Sequence, residues 1–307
     1  MVIDKPGKVT DKIFLLGTKE SCVYLLMGRN AYTILGGGAA YITPEVLKQL
    51  KDFRIEEKRI QRLIILHSHF DHCGMVPFLK KRWPWIEITA SARAKELLLS
   101  PKIVESIHAL NQVLLTEHGK EELANEMGIE FSGVDVERIV KEGDVVACGD
   151  LNMEIIETPG HSSCSIAVYV SKEKAMFASD AGGIPIGNQV FTAANSNFDQ
   201  YQQSIQKLAE YDIDIYLAEH YGALIGAHGR NYLYKSMDAA RETRRTMEAS
   251  LERTQDVKKS TEEMTDMFMA LVPEDFMPRD IIAVVAAQML RYIDKQKCGY
   301  SHENKYS

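Results

Sequence analysis

The hydrophobic and polar positions of this chain change their period along the sequence. Before residue 228, short apolar runs are separated by turns that contain glycine, as in "KIFLL", "CVYLLM" and "AYTIL". Runs of this kind predict strands, and a helix is predicted over 44–53. After residue 228 no strand pattern remains, and apolar residues recur at helical spacing. The pattern therefore predicts strands mixed with helices, followed by a helical region.

A strand, a loop and several helices are predicted between residues 62 and 127. "RLIIL" (62–66) is a buried strand by its pattern, and a helix follows over 74–82. The strand "IEIT" precedes a helix over 91–99, for which Ser91 is the predicted N-cap. One long helix is predicted over 102–127.

Four predicted strands are followed by residues that can bind a metal. "RLIIL" leads into His67, and three later strands end at His161, Asp180 and His220. Loops that follow strands are where scaffolds of strands and helices place their chemistry. We therefore expect these residues to contribute to one site.

The pattern of the C-terminal region predicts amphipathic helices over 229–297. They follow a predicted domain spanning 1–228. One face carries Met264, Met267, Phe268 and Leu271, and a later stripe carries Ile282, Val285, Met289 and Ile293. Core packing is the simplest interpretation of the Met-rich face. An adaptable pocket for an acyl group, with Met264, Met267 and Phe268 as substrate-binding residues, is the alternative. Residues 298–307 are predicted to be a polar tail.

Composition and charge narrow the class of protein. The 307 residues are 45% hydrophobic and 26% charged, with a net charge of −7, which argues against a non-specific nucleic-acid binder. Neither a secretory signal nor an apolar run long enough to span a membrane is visible. The five cysteines are odd in number and scattered, which does not predict a disulfide framework. These features predict a cytoplasmic protein without membrane partners.

The segment "HSHFDHCG" (67–74) crowds metal ligands together. In an extended chain His67, His69 and Asp71 share one side, and a helical turn just after them would bring His72 to the same place. Imidazoles and carboxylates of this number can serve two metal ions if other loops add ligands. Cys73 and Cys164 lie close in sequence to these ligands, and we interpret both as small buried residues, with thiolate ligation or redox switching as the alternative.

Other candidate residues have weaker signals. "GGG" (36–38) is interpreted as a turn that allows close backbone approach. Tyr221 and His228 are candidate substrate-binding residues, because Tyr221 adjoins His220 and His228 begins the C-terminal helices. Packing or surface exposure is the competing interpretation for both. The charged run "RETRR" (241–245) predicts a solvated helix face.

The pattern of histidines and aspartates resembles the metallo-β-lactamase superfamily, which includes glyoxalase II and related thioesterases, lactonases and phosphodiesterases. The H-x-H-x-D-H motif of that family matches His67, His69, Asp71 and His72, and its later ligands match His161, Asp180 and His220. Within the superfamily, "HFDHCGMVPFL" and the helical C-terminal region are similar to the quinolone-signal response protein and thioesterase-like hydrolases.

The resemblance implies a fold, a ligand set and an activity. The fold is an αββα sandwich over about residues 10–228, with the C-terminal helices as an extension. His67, His69 and His161 would hold one divalent ion, Asp71, His72 and His220 a second, and Asp180 would bridge them, with Asp71 and Asp180 as catalytic residues. Zinc is the favoured metal, with iron and manganese as alternatives. A hydroxide bridging the two ions would attack the substrate.

The interpretation favoured by these features is a hydrolase of an ester or thioester with an apolar acyl group. Two alternatives stay open. One is a phosphodiesterase acting on a nucleotide or RNA, and the other is a metal-containing signalling or interaction protein with little turnover. We also predict a homodimer that forms through the C-terminal helices.

Overall fold

A computed structural model describes residues 1–274 and 276–303 of the chain, without the side chains of 297–303. The strands are β1 Val2–Ile3, β2 Gly7–Lys8, β3 Ile13–Gly17, β4 Cys22–Met27, β5 Tyr32–Leu35, β6 Ile60–Ile64, β7 Glu87–Ser91, β8 Arg138–Val140, β9 Val145–Cys148, β10 Leu151–Glu157, β11 Ile166–Val170, β12 Ala175–Phe177, β13 Ile184–Ile186, β14 Gln189–Phe191, β15 Ile215–Leu217 and β16 Ala223–Ile225. The α-helices are α1 Thr43–Asp52, α2 Phe70–Cys73, α3 Val76–Arg82, α4 Ala92–Leu99, α5 Pro101–Glu117, α6 Glu121–Met127, α7 Phe198–Leu208, α8 Ala227–Thr254, α9 Val257–Leu271 and α10 Arg279–Glu303.

The chain forms two compact units that each draw on separate segments. Unit 1 comprises Met1–Glu157, Cys164–Ser179 and Asp212–Arg230. Unit 2 comprises Thr158–Ser163, Asp180–Tyr211 and the chain from Asn231 onward. Unit 2 therefore takes in two segments that precede the C-terminal helices.

Unit 1 contains two seven-stranded sheets. One has the strand order β2-β3-β4-β5-β6-β7-β8 and the other β1-β16-β15-β12-β11-β10-β9. Apolar side chains from both sheets form a single core, in which the rings of Tyr24 on β4 and Phe177 on β12 meet edge to face at 5.6 Å. Strand β11 is buried at every position, as expected for a central strand covered on both faces. The predicted αββα class is confirmed by this sandwich.

Unit 2 is built mainly from helices. Besides the β13–β14 hairpin it contains α7, α9, α10 and all of α8 from Asn231 onward. The ring of Phe191 in β14 packs against Phe268 of α9 at 5.0 Å and against Phe276 at 5.8 Å. Within the described part of the chain, no helix is both long enough and apolar enough to cross a bilayer.

Two predicted elements differ from the observed ones. The single helix expected over 102–127 is broken between α5 and α6, because Gly119 takes a left-handed φ of 62° and ends α5. At the C-terminus, α10 continues to Glu303, beyond the predicted start of a polar tail at 298. Residues 304–307 of that predicted tail lie outside the described chain. The N-cap at Ser91 is confirmed, since its hydroxyl accepts from the backbone N–H of Ala94.

Arg244 is the exception in "RETRR", whose Arg241, Glu242 and Arg245 are exposed as predicted for a solvated face. Its side chain is 24% exposed and forms ion pairs with Asp199 of α7 and with Glu248. The guanidinium also lies over the ring of Phe198, 5.5 Å from its centroid. Arg244 therefore ties α8 to α7 inside unit 2.

Replacing Arg244 by glutamine should weaken this tie in a pH-dependent way. The hydrogen bond from Arg244 lowers the pKa of Asp199 from its ordinary value of 3.8. The ion pair therefore contributes fully above that value and is lost as the pH falls below it. We expect the variant to lose about 1 kcal/mol of unfolding free energy at about pH 7, a figure reduced for solvent screening, and a smaller amount at about pH 3. Urea unfolding at the two pH values measures the difference; an equal loss at both would contradict the ion-pair account.

Candidate metal centre

The motif "HSHFDH" folds into an extended segment followed at once by a short helix. His69 occupies the N-cap position of α2 in an extended conformation (φ −70°, ψ 153°), and both Asp71 and His72 lie within that helix. The turn that brings His72 to the cluster is therefore α2 itself, rather than the helix predicted over 74–82. That later helix is present as α3.

Asp71, His72 and His220 form a compact buried cluster in unit 1. Nε2 of His72 lies 3.2 Å from Oδ2 of Asp71 and 3.1 Å from Nε2 of His220. Nε2 of His220 lies 3.5 Å from the same Asp71 oxygen. The three residues are between 1% and 6% exposed. Two imidazoles and a carboxylate at these distances can hold one metal ion.

The outward nitrogens of the two rings show that the cluster suits a cation. Nδ1 of His220 lies 2.5 Å from the backbone carbonyl oxygen of Glu20, which can only accept a hydrogen bond. Nδ1 of His72 lies 3.0 Å from Oε2 of Glu219, an ion-pair distance without linear hydrogen-bond alignment. With a proton on each Nδ1, both Nε2 atoms present lone pairs to each other and to Asp71. Three such acceptors in contact repel one another unless a cation or added protons separate them.

Asp71 is ionised in this setting. Burial alone would raise the pKa of its carboxyl, but the added protons that His72 and His220 can carry toward it when no cation is bound hold that pKa well below 3.8. A carboxylate that keeps its charge while buried is suited to bind a metal ion.

The side chains of His67 and His69 form a second pair of neighbouring ring nitrogens in unit 1. Nε2 of His67 lies 3.1 Å from Nδ1 of His69, and the rings meet edge to face. His67 is buried at 1% exposure, and His69 is partly exposed. The two nitrogens are suited to share a cation.

The remaining predicted ligands, His161 and Asp180, belong to unit 2. Nε2 of His161 lies 3.5 Å from Oδ2 of Asp180, and both side chains are buried. Nδ1 of His161 lies 2.7 Å from the carbonyl oxygen of Ala193, which leaves Nε2 as the acceptor. The pair therefore presents a ring nitrogen and a carboxylate oxygen of the kinds that bind metals.

The candidate substrate residues fall in both units. In unit 1, Tyr221 is 7% exposed and has an unusual positive φ of 59°, and His228 is exposed with Nδ1 2.9 Å from the N-terminal amino group. In unit 2, Met264 and Phe268 are buried, but Met267 is 37% exposed. The prediction that Met267 shares their buried face is wrong, because it lies toward the solvent side of α9.

Glu219 and Ser179 were not singled out from the sequence. The Glu219 carboxylate accepts a short hydrogen bond from the Ser179 hydroxyl and lies beside His72. The available signal was an acidic residue directly before His220. The sequence alone does not show that this residue is buried. Gly36 explains how Glu219 fits, since a Cβ atom there would overlap with the Glu219 carboxylate. The interpretation of "GGG" as a turn allowing close approach is thus confirmed.

The cysteines near the site are buried thiols. Cys73 and Cys164 are 0% and 2% exposed, and neither forms a disulfide. Sγ of Cys73 donates to the carbonyl oxygen of His69 at 3.2 Å, and burial raises the pKa of its thiol well above the ordinary value. These features confirm the interpretation of Cys73 as a small buried residue. The side chain of Cys298 lies outside the described residues.

Comparison with known sequences identifies related proteins. The sequence model described as the metallo-beta-lactamase superfamily matches residues 19–220. The hydroxyacylglutathione hydrolase of Rhodopseudomonas palustris (strain BisB5) is 25% identical over 191 residues, covering 61% of this chain and 59% of that protein. The acyl-coenzyme A thioesterase MBLAC2 of Gallus gallus is 33% identical over 73 residues, covering 24% of this chain and 26% of that protein. This chain therefore spans less than two thirds of the length of either relative.

Solved structures show the same fold. The metallo-beta-lactamase family protein of Thermus thermophilus matches with a TM-score of 0.65 and 15% identity, covering 94% of this chain and 95% of that one. Identity at this level is evidence for the architecture alone.

Proposed function

Because this chain belongs to the metallo-beta-lactamase superfamily, we propose that it is a hydrolase that depends on two divalent metal ions. We assign the ligands by carrying over the family motif. His67, His69 and His161 would hold the first ion, Asp71, His72 and His220 the second, and Asp180 would bridge the two. Zinc is the proposed metal, with iron and manganese as alternatives for the same ligands.

One observation carries this proposal. In unit 1 the acceptor atoms of Asp71, His72 and His220 face one another in a buried cluster, while the opposite nitrogens of both rings face groups that only accept hydrogen bonds. The acceptor atoms of the three side chains therefore create a negative electrostatic potential at one buried point. Such a donor set fits a divalent ion.

The chain's own residues prepare the reaction. Metal ions bound there would activate water at neutral pH and polarise the substrate oxygen. Asp71 stays ionised and can accept a hydrogen bond from a water molecule, which orients it for attack. The carbonyl of Glu20 keeps the proton of His220 on Nδ1, so that Nε2 stays an acceptor.

We propose an ester or thioester with an apolar acyl group as the substrate. The names of two relatives describe hydrolysis of a hydroxyacylglutathione and of an acyl-coenzyme A, which supports acyl chemistry. In unit 2, we assign Met264 and Phe268, two buried apolar side chains of the helical region, as candidate contacts of the acyl group. The net charge of −7 also favours an uncharged acyl group over a polyanion.

The substrate class can be tested by comparing two hydrolysis rates on the metal-loaded chain. We expect a medium-chain acyl thioester to be hydrolysed at least about 100-fold faster than an aryl phosphodiester, a difference of roughly 2.7 kcal/mol in the barrier. The Asp180→Asn variant serves as the blank. The reverse preference would identify a phosphodiesterase. Failure to hydrolyse either substrate above the blank would favour a protein that binds metal and signals without turnover.

A further inference from the structure

Ser179 and Glu219 connect two histidines that belong to different proposed ligand groups. The Ser179 hydroxyl oxygen lies 3.2 Å from Nδ1 of His67 and donates to Oε2 of Glu219. The same Glu219 oxygen lies 3.0 Å from Nδ1 of His72. All four side chains are at most 2% exposed, and all lie in unit 1.

Counting donors and acceptors fixes where the protons sit. A carboxylate can only accept, so the Ser179 hydroxyl donates to Glu219 and its oxygen accepts from Nδ1–H of His67. The proton nearest to Glu219 on His72 is likewise the one on Nδ1. Both rings are then left with a lone pair on Nε2. These are the nitrogens that face His69 in one group and Asp71 and His220 in the other.

The backbone of Ser179 is strained in the conformation that brings its hydroxyl to Glu219. Ser179 has a φ of 48°, in the left-handed region where glycine fits best and other residues cost about 1 kcal/mol or more. Glycine would relieve that strain but would remove the hydroxyl. Gly36, with a φ of 90°, leaves the space that the Glu219 carboxylate occupies. Both positions are thus arranged around the same carboxylate.

We propose that Glu219 and Ser179 are positioning residues that hold His67 and His72 in the ring orientation and tautomer needed to bind metal. One carboxylate then sets both proposed ion sites at once, so that disturbing it weakens the two sites together. This inference rests on the proposed function, since it requires that the two groups bind metal. Groups that orient metal-binding histidines in this way typically change metal affinity about 10–100-fold when removed.

Ser179→Gly separates positioning from a purely structural role. We expect the variant to stay close to the wild type in thermal unfolding of the metal-free full chain, because the relieved left-handed strain offsets the lost hydrogen bond to Glu219. We expect its zinc affinity, measured by competition with a chromophoric chelator, to fall about 10–100-fold. Lys174→Gly is the matched control, because Lys174 has a φ of 47° and lies outside the ligand groups. It should likewise stay close to the wild type in stability, and it should keep its zinc affinity.

Glu219→Gln tests the carboxylate while keeping its size. We expect two ions per chain at saturating zinc, both bound more weakly, and an altered visible spectrum of the cobalt-loaded chain because the histidine ligands are reoriented. Loss of one ion at saturation would instead make Glu219 a metal ligand and overturn the positioning role. Wild-type affinity in both Ser179→Gly and Glu219→Gln would overturn the inference alone. A wild-type chain that takes up no ion would overturn the proposed function and this inference together.

Discussion

Replacing His72 by alanine should abolish hydrolysis, lowering kcat/KM by about 10³-fold or more, which is roughly 4 kcal/mol of barrier. His72 lies at the centre of the buried cluster, with Nε2 within 3.2 Å of both Asp71 and His220. Its removal leaves the ionised Asp71 without its nearest compensating group and takes one nitrogen from the proposed ion site. Metal content, measured by elemental analysis after desalting, should fall together with activity.

Three further variants make this result specific. His69→Ala and Asp180→Asn should also abolish turnover and lower metal content, because both belong to the proposed ligand set. Asp71→Asn keeps the shape of the side chain and should show the same loss without a cavity. His108→Ala is the control, because His108 lies outside the proposed ligand set. It is partly exposed, and its Nδ1 lies 3.9 Å from Oε1 of Glu130. Full activity in His69→Ala or Asp180→Asn would contradict the ligand assignment.

Replacing Gly160 by alanine should cause a large loss of stability beside the ligand His161. Gly160 has a φ of 130°, and a Cβ atom there would overlap with the backbone of Tyr201 in α7. The Gly160 carbonyl also accepts from the N–H groups of Ser196 and Asn197. Because the overlap is with backbone atoms, its relief requires segments within unit 2 to shift. We expect the unfolding free energy to fall by about 3 kcal/mol or more. The shift adjoins His161, so metal affinity should fall too.

Gly187→Ala provides the matched comparison for this clash. Gly187 also has a positive φ, 58°, but a Cβ atom there would meet nothing within 4 Å. It should therefore cost only the left-handed strain, about 1 kcal/mol. The midpoint of urea unfolding, read with the slope held constant, compares the two variants. Equal midpoints would show that close approach at Gly160 is unimportant.

Much of the fold could be predicted because its strands are short, apolar and bounded by turns. "CVYLLM" matches β4 residue for residue, and the helical character after residue 228 is confirmed. The missed elements have weak local signals. Strands β1 and β2 have only two residues each, and β13 contains a proline. The pairing of β1 also depends on a partner distant in sequence, β16.

The candidate ligands could be named from the sequence because their residue types and order follow a known motif. Within unit 1 the structure brings Asp71, His72 and His220 together although 148 positions separate His72 from His220. Glu219 and Ser179 could not be found in this way, since their importance depends on burial and on contacts between distant segments. The exposure of Met267 was missed because helical periodicity alone does not fix where a buried stripe ends.

Several expectations stay predictions. Tyr221, His228, Met264 and Phe268 are candidate substrate residues by position and chemistry only. The homodimer through the C-terminal helices also stays a prediction, as does the nearer resemblance to the thioesterase-like branch.

The number of ions bound per chain is the sharpest test of the proposed two-ion site. The full chain is stripped with a chelator, reloaded with zinc, and measured by native mass spectrometry, with circular dichroism to verify that it stays folded. We expect two zinc ions per wild-type chain and fewer in His72→Ala. A folded wild-type chain that binds no zinc, iron or manganese, or that saturates with a single ion, would contradict it.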